Sequence, residues 1–147
     1  MTITYYYTLI LLLTASLYSC GVSKFIPNGE VLYTGSKINI EADKDIGNTK
    51  KVSQELHTLL EPEPNSKILG IRPGLYFHYK AQKKRPGFLN RWLNKKLGEE
   101  PVYLSDVNPQ RIEQLMLNRL DNRGYFYSKA TSELDRAQKH ASVKYQV

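Results

Sequence analysis

Asn108-Pro109-Gln110-Arg111-Ile112-Glu113-Gln114-Leu115-Met116-Leu117-Asn118-Arg119-Leu120-Asp121-Asn122-Arg123-Gly124-Tyr125-Phe126 spells out both ends of a helix. Asn108 has the short polar side chain that accepts an orphan first-turn amide hydrogen, and Pro109 suits the first helical position, where its missing N–H is no loss. Ile112, Leu115, Met116 and Leu120 recur at helical spacing and form one apolar face. Arg119 and Arg123 complement the negative end of the helix dipole. Gly124 supplies the left-handed residue that ends the helix, and Tyr125 or Phe126 folds back as the hydrophobic contact of that cap.

Downstream, two alternating stretches, 126–134 and 140–147, flank a polar loop at 135–139 and predict a hairpin whose second strand points Ala141, Val143, Tyr145 and Val147 inward. Upstream, alternation over 37–42 places Ile38, Ile40 and Ala42 on one face of a strand, with Val31 to Tyr33 as an extension interrupted at Gly35. After a polar turn at 43–47, Asn48 or Thr49 caps a helix whose apolar positions are Val52, Leu56, Leu59 and Leu60; Pro62 and Pro64 stop it. The order strand, helix, helix, strand, strand predicts an α+β fold: a three-stranded mixed sheet with both helices on one face, in a single domain over 30–147.

Between the helices lies an insertion, Gly70 to Gly98. Lys80, Lys83, Lys84, Arg85, Arg91, Lys95 and Lys96 fall within 80–96, a stretch without an acid, and Trp92 is the only tryptophan. After Pro86-Gly87, the residues Phe88, Leu89, Trp92, Leu93 and Leu97 suit one apolar face of a short helix. One reading is a foot on an anionic membrane or partner surface, formed by Lys83, Lys84, Arg85, Arg91, Trp92, Lys95 and Lys96, each cation contributing about 1 kcal/mol before screening. The other, favoured here because apolar groups this dense are readily buried at home, is a helix laid over its own domain with the charges merely solvated.

Leu9 to Ser19 carries no charge and closes with Leu17-Tyr18-Ser19-Cys20, the chain's single cysteine. The apolar stretch is shorter than the roughly 20 residues of a spanning helix. It reads as a lipoprotein signal: residues 1–19 are removed, Cys20 is acylated, and 20–29 form a tether ending in the turn Pro27-Asn28-Gly29. A basic leader is missing and Tyr18 is bulky for the site, so an uncleaved anchor or a plain secretory signal stand as alternatives. Acylation also explains a lone thiol in an exported chain. The net charge of +7 lies wholly downstream of the signal. Export turns that basicity away from nucleic acid and toward lipid headgroups or acidic proteins.

Residues for catalysis are sparse. His57 and Glu61 are one helical turn apart but lack a third ligand. His78 sits among Leu75, Tyr76, Phe77 and Tyr79 and is expected to pack there; His140 opens a strand. No serine occupies a nucleophile elbow, Pro73-Gly74 is a turn, and the one thiol goes to lipid. The expectation is a non-enzyme with no metal, cofactor or small-molecule substrate.

The element order resembles a polypeptide-transport-associated (POTRA) domain, the periplasmic module of the BamA/TamA family of outer-membrane assembly proteins. Asn118 to Phe126 is similar to that family's helix ending in Gly-Tyr-Phe before the second strand, and Gly98-Glu99-Glu100-Pro101-Val102-Tyr103 to the approach to that helix. The signal followed by Val22-Ser23-Lys24-Phe25-Ile26-Pro27, together with 64–70, is similar to the lipidated TamA-like proteins (TamL) of the Bacteroidota. The resemblance implies binding of unfolded outer-membrane proteins or assembly-machine subunits by pairing with an edge strand, placed here at Phe126 to Leu134 with Tyr127, Lys129, Thr131 and Glu133 outward. Family members continue into further POTRA domains and a membrane β-barrel, so the chain is expected to be an amino-terminal fragment or a truncated product. The absence of acids in Gly21 to Lys24 favours the periplasmic side of the outer membrane. The alternative is an unrelated small structural or adhesive outer-membrane lipoprotein, with a hydrolase more distant.

Overall fold

A computed structural model describes residues 21–42 and 48–147. The expected signal, Cys20 and the turn at 43–47 lie outside the described residues. The elements are β1 (Leu32–Asn39), α1 (Thr49–His57), α2 (Pro73–Ala81), α3 (Phe88–Leu97), α4 (Pro109–Asp121), β2 (Thr131–Ala137) and β3 (His140–Gln146), with 3-10 turns at Ser23–Phe25 and Leu104–Asp106. They fall into two compact units: Ile26–Asn65 with Pro101–Val147, and the insertion Ser66–Glu100 with residues 21–25.

The first unit holds a three-stranded mixed sheet in the order β1-β3-β2. β3 runs parallel to β1 and antiparallel to β2. Alternation in β3 buries Ala141, Val143 and Tyr145, while Lys144 and Gln146 stay exposed on the other face. Val52 and Leu56 of α1 and Ile112, Met116 and Leu120 of α4 join Tyr33, Val107, Val143 and Tyr145 in one core, with Ile38, Ile40, Leu59 and Leu60 packed around it. The fold is therefore α+β, with both amphipathic helices on one face of the sheet.

α4 has the ends its sequence predicts. The Asn108 side-chain oxygen accepts from Arg111 N at 3.0 Å. At the other end Gly124 takes φ 87°, and the Tyr125 amide donates to Leu120 O at 3.0 Å. Tyr125 supplies the fold-back contact on the core, whereas Phe126 is 72% exposed. Arg123 lies past the helix and forms an ion pair with Glu55 of α1. Asn108→Ala should lower the stability of this unit by about 1 kcal/mol in chemical denaturation, whereas Asn108→Ser keeps a cap and should stay close to the parent.

Three boundaries differ from expectation. β1 continues through Gly35, because a register shift between Tyr33 and Ser36 absorbs the irregularity, and Ala42 is exposed outside it. β2 begins at Thr131, not Phe126: Ser128 N and Oγ both donate to Tyr125 O, and this turn takes residues 125–128 out of extended conformation. Asp135 and Arg136 are in the ladder rather than in a loop, since Ala137 pairs with His140 and only Gln138 and Lys139 turn. Gln138 takes φ 51°, as such a tight turn requires. Charged residues are tolerated there because one side of each meets water, and Asp135 pairs with Lys144 at 3.2 Å.

In the second unit α2 and α3 pack against each other. Gly74 near the start of α2 permits this approach: a Cβ there would lie 2.9 Å from Leu97 O and 2.8 Å from the Glu99 side chain. Glu99 N donates to Gly74 O at 3.3 Å and its carboxylate accepts from Ser66 N at 2.8 Å. Burial lowers the pKa of Arg72, opposed by the Glu99 carboxylate, so Glu99 ties together the base of the insertion. Phe25, in the 3-10 turn, stacks on Tyr79 at 5.6 Å and meets Tyr76 edge-on at 6.2 Å.

Candidate functional site

The two rims of the sheet differ. On the β1 side, Tyr33 N donates to Val102 O and Leu104 N to Val31 O, so the segment before α4 occupies the start of that rim. Asn65, itself buried, holds this segment by accepting from Val102 N at 2.9 Å. Pro64 lies against Gly35 further along. On the β2 side, Thr131 to Ala137 pair with β3 alone among the described residues.

The geometry of the β2 rim follows from the hairpin. In a two-residue hairpin the residues flanking the turn exchange both hydrogen bonds, and the pattern alternates from there. Ser132, Leu134 and Arg136 therefore turn their amide and carbonyl groups outward. Their side chains share the face of their partners Tyr145, Val143 and Ala141. That face is roofed over β3 but thin over β2, where Leu134 is 44% exposed. A strand added to this rim would find both free backbone groups and a partly open apolar shelf.

Of the expected edge residues, Thr131 and Glu133 are in β2, on the face opposite the helices. Phe126, Tyr127 and Lys129 are exposed in the preceding loop and do not belong to the rim. Ser132 and Leu134, inside the expected strand, and Arg136, beyond its end, are the residues whose backbone faces outward; side-chain alternation does not show this, because the hairpin turn sets which backbone groups point away from β3.

Inside the core, the Tyr33 hydroxyl is 2.5 Å from Ser36 Oγ, and the buried Tyr145 hydroxyl makes no well-formed hydrogen bond among the described residues. Burial raises the pKa of Tyr33, with the Ser36 contact opposing. Tyr145 is pushed up to about 12, first by burial and then by Tyr33, with the nearby Ser36 hydroxyl opposing and Glu113 adding a smaller push. Beside them an open cleft of about 430 Å³ is lined by Tyr33, Ser36, His57, Glu63 and Pro64. Ser36 Oγ is engaged by a tyrosine, not by His57, so this cleft lacks a base-activated nucleophile.

Among the described residues no three His, Cys, Asp or Glu side chains gather as a metal site, and no helix is long and apolar enough to cross a membrane. His78 packs edge-on against Tyr79 at 5.6 Å and its Nε2 lies 2.7 Å from Gln82 Nε2. His140 opens β3.

The insertion holds the expected basic residues on its surface: Lys83, Lys84, Arg85, Arg91, Lys95 and Lys96 are all exposed. The expected burial of α3 does not occur, and the helix has no buried residue. Its turn geometry divides the anticipated apolar face. Leu93 is half-buried on the side of Asn90 and Asn94, while Phe88, Leu89 and Trp92 on the outer side are 78%, 65% and 51% exposed. Before α2, a tight turn joins Ile68 and Ile71 and lifts Leu69, 99% exposed, into the left-handed region at φ 47°.

Comparison of the chain with protein-family models, with curated proteins and with solved structures finds no match.

Proposed function

We propose that the chain is a lipid-anchored interaction module of the POTRA type, serving an outer-membrane assembly or translocation machine. In this reading Cys20 carries the lipid and the protein works on the periplasmic side of the outer membrane. The sheet unit receives an extended client or a partner subunit as an additional strand beside β2. One observation carries the reading: among the described residues β2 pairs with nothing on its outer rim over its whole length, while the β1 rim is occupied at Val31–Tyr33. The order β1-β3-β2, with helices on one face, suits such a docking role, because it leaves β2, the first strand of the hairpin, at the border of the sheet.

Backbone pairing is tolerant of sequence, as befits a receiver of unfolded chains. Glu133, Asp135 and Arg136 keep the rim soluble and discourage pairing between copies of the chain itself. The module binds and does not catalyse in this reading.

The test is photo-crosslinking. A photoreactive side chain at Glu133 is expected to capture an extended outer-membrane-protein peptide. Ser132→Pro removes an outward N–H without taking a bond from β3, and it should cut capture by up to roughly tenfold, the effect of losing one hydrogen bond. Undiminished capture by the proline variant, with its circular dichroism unchanged, would rule out β2 as the docking rim.

A further inference from the structure

The insertion has a surface that docking at β2 does not use. Seven of the eleven large hydrophobic side chains exposed among the described residues fall between Ile68 and Leu97, which concentrates apolar surface in the smaller unit. On the outer side of α3, helical spacing sets them beside charge: Arg91 and Lys95 lie together on one side of Phe88, and Lys96 lies between Trp92 and Leu89. Lys83, Lys84 and Arg85 lead into the same helix, and no acid occurs in 80–96.

We infer that this face of α3 is a seat for an anionic lipid surface. Nucleic acid or an acidic protein would match the charge but would not need Phe88, Leu89 and Trp92 held out among the cations. An interfacial site needs both, with aromatic and aliphatic groups at headgroup depth and cations against lipid phosphates. The path of the chain agrees with this occupant. Ser23–Phe25 belongs to the same compact unit, held by the ring contacts of Phe25 with Tyr76 and Tyr79. Phe25 is five positions from Cys20, so an acyl anchor there, which rests on the function proposed above, would deliver this unit to the bilayer. The basic face itself does not require the anchor.

Trp92, the only tryptophan, makes the seat directly observable in the full chain. Vesicles containing anionic phospholipid should shift its emission to the blue and allow a lipid-borne quencher to reach it; purely zwitterionic vesicles should do neither. Lys95→Glu with Lys96→Glu should weaken the tryptophan-reported partitioning roughly twentyfold or more, because each surface cation lost is worth about a fivefold factor. Added salt should act in the same direction. Lys83→Glu with Lys84→Glu is a second variant away from the helix, and circular dichroism checks both. An unchanged Trp92 signal with anionic vesicles would overturn the inference, as would equal signals with zwitterionic vesicles or a larger response to duplex DNA or an acidic protein at the same ionic strength. Because the signal comes from α3 alone, it stands or falls separately from Ser132→Pro and from acylation of Cys20.

Discussion

Val143→Asp is expected to unfold the sheet unit. Val143 is fully buried at the middle of the central strand, where its register partners are Ser36 on one side and Leu134 on the other. Its side chain belongs to the core formed with Tyr33, Met116 and Tyr145. The buried cluster that Val143 joins consists of aliphatic side chains, a methionine and two tyrosines, with no charged member. Burying an unpaired charge costs many kcal/mol, and even taking it up as a neutral acid leaves a polar group desolvated. A domain of this size has about 5–15 kcal/mol in total. Val143→Ala, which only removes volume, should cost about 2 kcal/mol and leave a cooperative transition. Amide hydrogen exchange distinguishes the two: slow exchange over β3 in the alanine variant, none in the aspartate variant. A cooperatively folded Val143→Asp protein with a protected β3 would mean that the sheet core is not where this structure has it. Loss of that core would also abolish peptide capture at Glu133, since the rim exists only while β3 holds β2 in place.

The helices covering the sheet were readable because each marks its own ends. Asn108, Pro109 and Gly124 act through bonds to residues at most five positions away, so their meaning does not depend on the rest of the fold. The alternation of Ala141, Val143 and Tyr145 was equally legible, because a strand flanked on both sides and roofed on one face must alternate. β2 was misplaced for the opposite reason. Its seven residues have only one half-buried position among exposed ones, so no apolar pattern fixes its start, and the turn at Tyr125–Ser128 and the pairing of Ala137 with His140 set its ends instead. Those are tertiary facts.

The insertion failed differently. Its composition announced a basic amphipathic helix, but which face is covered depends on the contact with α2, and Gly74, Leu97 and Glu99 decide that through a close approach across the hairpin. Asn65 and Arg72 gave no periodic signal at all. Each is a buried polar residue whose partner, Val102 in one case and Glu99 in the other, is far away in sequence. The candidate rim was half legible for the same reason: Thr131 and Glu133 were placed in a strand correctly, but the outward backbone groups belong to their neighbours.

Alkali should destabilise the sheet unit through Tyr145. Its hydroxyl is buried and makes no well-formed hydrogen bond among the described residues, and its pKa is pushed up to about 12 from an ordinary 10.0, by burial first and then by Tyr33, with the Ser36 hydroxyl opposing. The Tyr33 hydroxyl beside Ser36 is shifted in the same direction. A raised tyrosine pKa means that the folded protein resists losing a proton which the unfolded chain gives up readily. Stability is therefore intact below about pH 10 and falls as pH rises from there, levelling once Tyr145 ionises in the folded state near 12. The fall attributable to Tyr145, once complete, is about 3 kcal/mol. Tyr145→Phe removes the group that titrates and a buried hydroxyl that makes no well-formed hydrogen bond among the described residues. At neutral pH it should match the parent or exceed it by about 1 kcal/mol, and its alkaline midpoint should move up. Tyr33→Phe breaks the contact with Ser36 Oγ and should be the more costly of the two at neutral pH. Denaturant titrations at neutral pH and between pH 10 and 12, with tyrosinate absorbance followed in parallel, read both effects. If Tyr145→Phe were destabilised at neutral pH, or kept the parent's alkaline profile, the Tyr145 hydroxyl would have to be bonded in the native core and the source of the alkaline response would lie elsewhere.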